Sequence, residues 1–268
     1  MTLAASRRKV ILELLRDQGA VSLSELSLRF PSLSTMTLRR DLERLQAEGR
    51  CTRTHGGAVL ATGSLELPYS VRATHNYRRK LAIARLARGL IHPGMTISLD
   101  ASSTAYVLAS HLQDLTELTL LTTNPTMPVR LSFHHSSQVM ICGGIWRHVA
   151  QSVVGPMADS FLGHFKVDIA FVATRSMSPE RGLSDADLME VSTKKAALRG
   201  ATRKIALMDS TKLPSDSVIT VAGADELDLL ITDSGLKPGL ARRFKKVGLE
   251  VAIASMSALD LRSDARSA

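Results

Sequence analysis

The chain has 268 residues, of which 44% are hydrophobic, and its formal net charge at pH 7 is +9. This length suits two domains, and the hydrophobic content is sufficient for a buried core. The sequence contains no apolar run of about 18 residues, so a membrane-spanning helix is not predicted.

Cysteine usage and the start of the sequence favour a cytoplasmic protein. The first ten residues lack the apolar segment of a secretory signal peptide. Cys51 and Cys142 are the only cysteines. They fall in different predicted domains, so we do not expect a structural disulfide. No Cys/His spacing is typical of a zinc site, and we predict neither a metal site nor a cofactor.

Three helices are predicted in the first 50 residues. Apolar spacing predicts a helix over residues 7–17 and a short helix over residues 22–30, which Ser22 can cap. Residues 31–33 form a turn, and a third helix covers residues 34–49. This order is typical of a helix-turn-helix.

The third helix is the candidate for reading DNA. Its leucines share one face and should be buried, whereas hydroxyl and arginine side chains lie off that face near its N-terminal end. Arginine can donate to guanine and threonine can reach phosphates or base edges in a major groove. The alternative is the solvated face of an ordinary amphipathic helix. The candidate DNA-binding residues on this helix are Ser34, Thr35, Thr37, Arg39 and Arg40.

A small β-wing is predicted after this helix. Gly56 and Gly57 signal a turn between two short strands. Arg50, Arg53 and His55 would then lie beside the DNA backbone, unless the segment is only a solvated loop. Residues 1–60 carry ten Lys and Arg against six Asp and Glu, so +4 of the net charge lies in less than a quarter of the chain. Concentrated positive charge favours binding to phosphates.

The stretch TLRRDLERLQAEGR, followed by TRTHGGA, resembles the signature of the DeoR family of bacterial transcription regulators. The resemblance implies that the third helix and the wing contact operator DNA. The turn at residues 31–33 is one residue longer than the usual Gly-Val of the family, which makes Thr35 a weaker candidate base contact than Arg39 or Arg40. The matching residues are Thr37, Leu38, Arg39, Arg40, Asp41, Leu42, Gly49, Arg53, His55, Gly56 and Gly57.

A linker is predicted at residues 59–77, after a winged helix-turn-helix domain of residues 3–58. The linker contains Gly, Ser and Pro and few core candidates. The resemblance implies that Glu66, Tyr69 and Arg72 brace the two domains. The alternative is that they are only solvated.

Helices and strands alternate from residue 78 onward, which predicts a second domain over residues 78–256 and a tail over 257–268. Predicted helices lie near 78–91, 104–112, after 125, and near 187–200 and 238–247. Alternation of this kind indicates an α/β fold with a mainly parallel sheet covered on both faces. The predicted strands are MTISLD, LTLLTT, QVMIC, VDIAFVAT, KIALMD, VITVAG, LLITD and LEVAIA.

Small, polar or charged residues follow four of these strands, where ligands bind in open α/β sheets. The turn DASST at residues 100–104 offers hydroxyl and N–H groups suited to a phosphate. Plain N-capping by Ser102 or Ser103 explains those serines about as well. The other strand ends carry Thr123 and Asn124, Gly143 and Gly144, and Asp209 with Lys212.

This half of the chain resembles the DeoR sensor domain, which is similar in fold to ribose-5-phosphate isomerase, and the resemblance covers about residues 6–255. It implies a phosphorylated sugar or similar metabolite as effector. Glu190 and Lys194 are spaced i, i+4, so a surface ion pair is their alternative. The implied effector-binding residues are Asp100, Ser102, Ser103, Thr104, Thr123, Asn124, Gly143, Gly144, Glu190, Lys194, Asp209 and Lys212.

The segment that follows the predicted strand VDIAFVAT also departs from the family pattern. Arg175 and its neighbours replace small residues near the expected mouth of the pocket. This leaves open either a more anionic effector or a partly closed pocket.

Two functions fit these features. The preferred one is a repressor of a carbohydrate-metabolism operon that binds double-stranded operator DNA as a homo-oligomer, a dimer or a tetramer, and responds to the effector. The alternative is a sugar-phosphate isomerase-like enzyme in which Lys212 and nearby carboxylates do acid–base work. The whole N-terminal quarter favours the regulator, so we predict no enzyme activity and no catalytic residue.

Overall fold

The computed structural model describes residues 3–18, 20–48, 50–54, 56–60 and 67–256. The chain separates into two compact units, one ending at His75 and the other beginning at Asn76. Four predicted features lie outside the described residues: Gly49, His55, Glu66 and the tail. None of the described helices is long and apolar enough to cross a membrane.

The N-terminal unit is a winged helix-turn-helix. Its elements in chain order are α1 (Leu3–Gln18), β1 (Ala20–Ser22), α2 (Leu23–Arg29), α3 (Thr35–Ala47), β2 (Cys51–Thr54), β3 (Gly57–Leu60) and α4 (Tyr69–Thr74). The predicted linker therefore contains the end of β3 and a short helix. Strand β1 was not predicted from the sequence, and it joins the wing in an antiparallel sheet of order β1-β3-β2.

The wing packs closely on β1 because of one glycine. Gly57 pairs with Ser22, and a Cβ at Gly57 would lie 1.9 Å from the carbonyl oxygen of Val21. Any side chain there would have to push the strands apart. The buried core beneath this sheet includes the three predicted α3 leucines together with Ile11 and Leu15 of α1.

The C-terminal unit confirms the predicted α/β fold. Its elements in chain order are α5 (Tyr77–Arg88), β4 (Thr96–Leu99), α6 (Ser103–Ala109), β5 (Thr119–Thr122), α7 (Thr126–Arg130), β6 (Gln138–Ile141), β7 (Ile145–Arg147), β8 (Ser152–Val154), α8 (Pro156–Gly163), β9 (Val167–Val172), β10 (Ser176–Ser178), β11 (Gly182–Asp185), α9 (Leu188–Arg199), β12 (Ala201–Leu207), β13 (Ile219–Ala222), β14 (Leu229–Asp233), α10 (Pro238–Lys246) and β15 (Glu250–Ala254).

A seven-stranded parallel sheet of order β15-β14-β12-β9-β4-β5-β6 forms the centre of this unit. All carboxyl ends therefore lie at one edge, with β12, β9, β4 and β5 side by side. The sequence VITVAG is a strand, as predicted, but it belongs to a separate antiparallel sheet of order β10-β11-β13. The β7–β8 hairpin, β10, β11 and α8 were not predicted.

Candidate DNA-binding and effector-binding sites

The predicted recognition helix begins with a cap. The Ser34 hydroxyl accepts from the N–H of Thr37 at 3.3 Å and lies 3.0 Å from the Thr37 hydroxyl. These two residues therefore define the start of α3. Thr35, Arg39 and Arg40 are exposed, and neither arginine forms an ion pair with another described residue. Their donors are available for a partner molecule.

Asp41 has a different role from the two arginines before it. The residue is only 3% exposed, and its carboxylate accepts from Arg7 Nε at 2.5 Å and Arg8 Nη1 at 3.4 Å. Arg39 and Arg40 are therefore exposed to solvent, whereas the next residue, Asp41, is buried and links α3 to α1 through its ion pairs. This role could not be predicted from local spacing, because the two arginines that contact Asp41 lie more than thirty residues earlier.

The wing is attached to α3 through Arg53. Its Nη1 donates to Glu43 Oε1 at 2.7 Å, and its backbone N–H donates to Gln46 Oε1 at 2.8 Å. Arg53, predicted to contact DNA, therefore already has an intramolecular partner, whereas Arg50 is exposed.

Residues of the predicted linker interact within the N-terminal unit. The guanidinium carbon of Arg72 lies 5.7 Å from the ring centre of Tyr69, and Arg72 Nε donates to the Leu67 carbonyl at 3.0 Å. Their bracing of the two domains stays a prediction.

In the effector half, Asp100 ties two strand ends together. Its carboxylate oxygens accept from the backbone N–H of Ser102 at 3.0 Å and of Ala173 at 2.8 Å, and the side chain is buried. Burial raises the pKa of Asp100, although nearby Lys194 opposes this. The Ser102 hydroxyl accepts from the N–H of Ala105 at 3.0 Å. Ser102 therefore caps α6, which is the alternative role that its sequence suggested.

Two buried donors at neighbouring strand ends have no described partner. They are the Oγ1 of Thr104, after β4, and the Nδ2 of Asn124, after β5. The Asn124 Oδ1 is occupied, since it accepts from both the backbone and the side chain of Thr126. Leaving a buried donor unpaired costs about 1–3 kcal/mol, so an oxygen-rich ligand here would be favoured. Ser103 is also buried beside Thr104.

Glu190 and Lys194 form a buried network, so the surface ion-pair alternative is wrong. They are 7% and 9% exposed. Lys194 Nζ lies 3.0 Å from Asp185 Oδ2 and 3.3 Å from Glu190 Oε2. The other Glu190 oxygen accepts from Ser152 Oγ at 2.5 Å and Arg147 Nη1 at 2.7 Å.

The network remains charged despite its burial. Burial alone would raise the pKa of Glu190, but Lys194 and the hydrogen bonds from Ser152 and Arg147 outweigh it and lower this pKa to about 2. Burial alone would lower the pKa of Lys194, but Glu190, Asp185 and Asp100 raise it above its ordinary value.

We expect the C-terminal unit to lose stability as the pH falls from about 4.5 towards about 2. A carboxyl group whose pKa is lower in the folded state stabilises the fold above its unfolded pKa, and this contribution disappears on protonation. Urea unfolding midpoints at about pH 5 and about pH 3 measure the loss. Glu190→Gln should weaken this dependence of stability on pH, because the variant lacks the Glu190 carboxyl group. Some dependence should remain, because Asp100 and Asp185 titrate in both proteins. An unchanged dependence in Glu190→Gln would contradict the assignment.

The Gly143–Gly144 pair introduces the β7–β8 hairpin. Gly144 has φ +147°, and a Cβ there would lie 2.6 Å from the Val154 carbonyl oxygen. Gly155, with φ +98°, ends the hairpin. The Val153 N–H donates to the Thr123 carbonyl at 2.8 Å. The two glycines therefore shape the hairpin, and the backbone of Thr123 attaches it to the end of β5.

The hairpin is also held to α9. Besides its bond to Glu190, Arg147 pairs with Asp187 at 3.0 Å through Nη2. Both hairpin strands therefore reach Glu190, one through Arg147 and the other through Ser152. Sequence reasoning missed this arginine, because it assigned no structure to residues 145–154.

Asp209 and Lys212 follow β12 as predicted. The buried Asp209 carboxylate accepts from Asn76 Nδ2 at 3.2 Å and from the Thr211 side chain. Lys212 is partly buried, and its Nζ donates to the Thr174 carbonyl at 3.0 Å. Burial would raise the pKa of Asp209, but Lys212, the Thr211 hydrogen bond and Lys80 lower it.

Lys80 is a further cation at this strand end. It lies in the first turns of α5 and is only 3% exposed. The sequence placed it at the start of a helix but did not assign it to the site. The spacing could have indicated that Lys80 is buried, because it lies on the same helical face as the buried Ala84 and Ala87.

Another buried carboxylate, that of Asp233, lies at the end of β14. Asp233 accepts from Arg79 Nη1 at 2.6 Å and from the Ser210 N–H at 2.7 Å. This network joins the start of α5 to the ends of β12 and β14.

Arg175, after β9, is exposed. No group of three His, Cys, Asp or Glu side chains in the described ranges could hold a metal ion.

Two family models match the chain: a DeoR-like helix-turn-helix domain at residues 7–63 and a DeoR C terminal sensor domain at residues 75–234. The chain belongs to the DeoR family. It is 31% identical to the HTH-type transcriptional regulator GolR of Listeria innocua, over 92% of this chain and 98% of that protein. DeoR regulators combine a DNA-binding domain with a domain that senses a small molecule.

Other DeoR-like relatives are named repressors. The transcriptional repressor AccR of Agrobacterium fabrum is 32% identical over 86% of this chain and 90% of its own length. The glycerol-3-phosphate regulon repressor of Escherichia coli is 27% identical over 85% of this chain and 90% of its own length. Ribose 5-phosphate isomerase A of Methanocaldococcus jannaschii is 20% identical with a TM-score of 0.34, covering 52% of this chain and 53% of its own. The strand order of the main sheet defines the fold of the C-terminal unit.

Proposed function

We propose that this DeoR-family protein is a repressor whose operator binding responds to a phosphorylated sugar or a similar metabolite. The supporting observation is a set of donors along one edge of the sheet. Thr104 and Asn124 offer unpaired buried donors after β4 and β5, while Lys80 and Lys212 lie at the end of β12. The chemistry of this set suits a ligand with hydroxyl oxygens and an anionic group.

The spacing of the strands suits such a ligand. From β12 to β5 there are three inter-strand steps, which span roughly 14 Å. A phosphorylated sugar can extend over most of that distance. One relative is named as the repressor of a glycerol-3-phosphate regulon, and this name fits a phosphorylated metabolite as the effector.

The low pKa of Glu190 argues against an isomerase that uses this carboxylate as its general base. A general base works best with a pKa near the working pH, and a Glu190 pKa of about 2 makes this carboxylate a weak proton acceptor. Asp100 and Asp209 are already occupied by hydrogen bonds from the protein. We propose that these groups shape the effector site and that the protein is not an enzyme.

We also propose that the protein acts in the cytoplasm as a homo-oligomer, a dimer or a tetramer, on an operator with repeated half-sites. The DNA-contacting residues proposed on α3 are Thr35, Arg39 and Arg40, with Ser34 and Thr37 at its start. Arg53 of the wing is proposed with them, as is His55, which lies outside the described residues. Arg39 and Arg40 have the strongest support, because both are exposed without a described ion pair.

Lys212→Ala is expected to leave operator affinity unchanged and to weaken the effector response by about tenfold or more, since a charge-assisted hydrogen bond contributes roughly 1.5–3 kcal/mol. Fluorescence anisotropy with the DNA upstream of the gene, and with sugar phosphates added singly, measures both quantities. Lys166→Ala is the matched control, because Lys166 is exposed just before the amino end of β9, at the opposite edge of the sheet.

Each outcome has a defined meaning. A normal response in Lys212→Ala would show that the effector site is placed wrongly. Operator binding that no compound alters would remove the support for a sugar-phosphate effector. Turnover of a sugar phosphate without operator binding would favour the enzyme.

A further inference from the structure

The positive charge of the chain beyond the wing is concentrated on one helix. Residues 237–246, KPGLARRFKK, contain five Lys and Arg and no Asp or Glu. The rest of residues 61–268 contains 19 Lys and Arg and 19 Asp and Glu. The whole net positive charge of that part of the sequence therefore comes from α10 and the residue that precedes it.

These charges form one exposed face. Leu240 and Phe244 are buried, and they attach α10 to the sheet beside β15. Arg242, Lys245 and Lys246 are exposed on the opposite side. Their spacing is i, i+3 and i+4, which places the three cations next to each other, about 5–6 Å apart at Cβ.

Internal contacts do not account for this arrangement. Arg243 pairs with Glu180 at 2.5 Å, but Lys237, Arg242, Lys245 and Lys246 form no ion pair with any described residue. Adjacent like charges destabilise a helix. The helix dipole favours cations in the last turn, but it disfavours Lys237 at the N-cap. Helix stability therefore explains only part of the cluster.

We propose that the basic face of α10, formed by Arg242, Lys245 and Lys246, binds the phosphate backbone of DNA that flanks the operator. This inference rests on the proposed operator binding and adds a second, sequence-independent contact made by the sensor domain. Adjacent cations without carboxylate partners fit a polyanion, and DNA is the polyanion that a regulator of this family binds. Phosphate contacts of this kind add affinity and position without base recognition.

The test compares two DNAs with the full chain. One is the shortest operator that the wild type protects from nuclease, and the other carries about 20 additional base pairs on each side. The wild type should bind the longer DNA more tightly and with a steeper dependence on salt. The triple variant Arg242→Gln, Lys245→Gln, Lys246→Gln should keep its affinity for the short DNA. On the long DNA it should bind roughly tenfold more weakly at low salt, with a salt slope reduced by about 2–3.

A matched variant separates a local contact from a general charge effect. Arg130→Gln, Lys166→Gln, Arg199→Gln removes the same charge from exposed positions outside α10. Wild-type behaviour of this control supports the proposal. An equal loss in both triple variants, or a wild-type salt slope in the α10 variant, overturns it. If the wild type protects no upstream DNA from nuclease, the proposed function fails together with the inference. If the α10 triple variant loses affinity only for the longer DNA, the result supports both the proposed function and this inference.

Discussion

Lys194→Met is expected to lower the free energy of unfolding of the C-terminal unit by about 3–5 kcal/mol, because it removes the cation that pairs with the buried Asp185 and leaves Glu190 with Arg147 alone. Lys194 contacts Asp185 and Glu190, and Asp100 is close enough for its charge to raise the Lys194 pKa. Methionine keeps most of the side-chain volume, so the loss measures charge and not a cavity. Urea denaturation followed by circular dichroism provides the measurement.

The adjacent lysine is a suitable control for this prediction. Lys195 is only partly buried and has no ion pair with a described residue, so Lys195→Met should change stability by less than about 0.5 kcal/mol. A double variant, Glu190→Gln with Lys194→Met, should recover part of the loss. Equal effects of the two lysine substitutions would show that the buried network does not stabilise the fold.

Arg40→Ala is expected to weaken operator binding by about 1–3 kcal/mol, or roughly five- to 150-fold in Kd. Arg40 is exposed near the N-terminal end of α3, the part of a recognition helix that meets base edges. Since it forms no ion pair with a described residue, its removal should leave the N-terminal unit folded. Competition binding against operator and scrambled DNA separates a base contact from a phosphate contact.

Arg44→Ala controls for simple loss of charge. Arg44 lies one turn further along α3 and pairs with Glu48 at 3.2 Å on the surface. We expect it to lower operator affinity less than Arg40→Ala does. If Arg40→Ala is folded and binds the operator like the wild type, α3 is not the helix that reads DNA.

Much of the architecture could be predicted because it depends on local patterns. Leu38, Leu42 and Leu45 are buried as their spacing indicated, and each apolar run of the second half is a strand. A run of apolar residues identifies a strand but not its neighbours. VITVAG was therefore assigned to the main sheet, whereas β13 pairs with β11 in a separate one. The β7–β8 hairpin was missed because each of its strands is only three residues long, too short for an apolar pattern to identify it.

The roles of individual site residues were harder to predict, because they depend on partners distant in sequence. Ser102 caps a helix, which its local sequence already suggested. Glu190 depends on Arg147 and Ser152, which lie some forty residues earlier, and only the fold brings them together. Lys80 reaches the site for the same reason, since Asp209 lies beyond most of the second domain.

The β7–β8 hairpin supplies the protein with an intrinsic fluorescent reporter. Trp146 is the only tryptophan of the chain, and it is 44% exposed. It directly precedes Arg147, which holds the hairpin to Glu190. Emission excited at the indole band therefore arises from this one hairpin. A ligand that displaces Arg147 from Glu190 would change the wavelength and polarisation of that emission, without a label and without DNA.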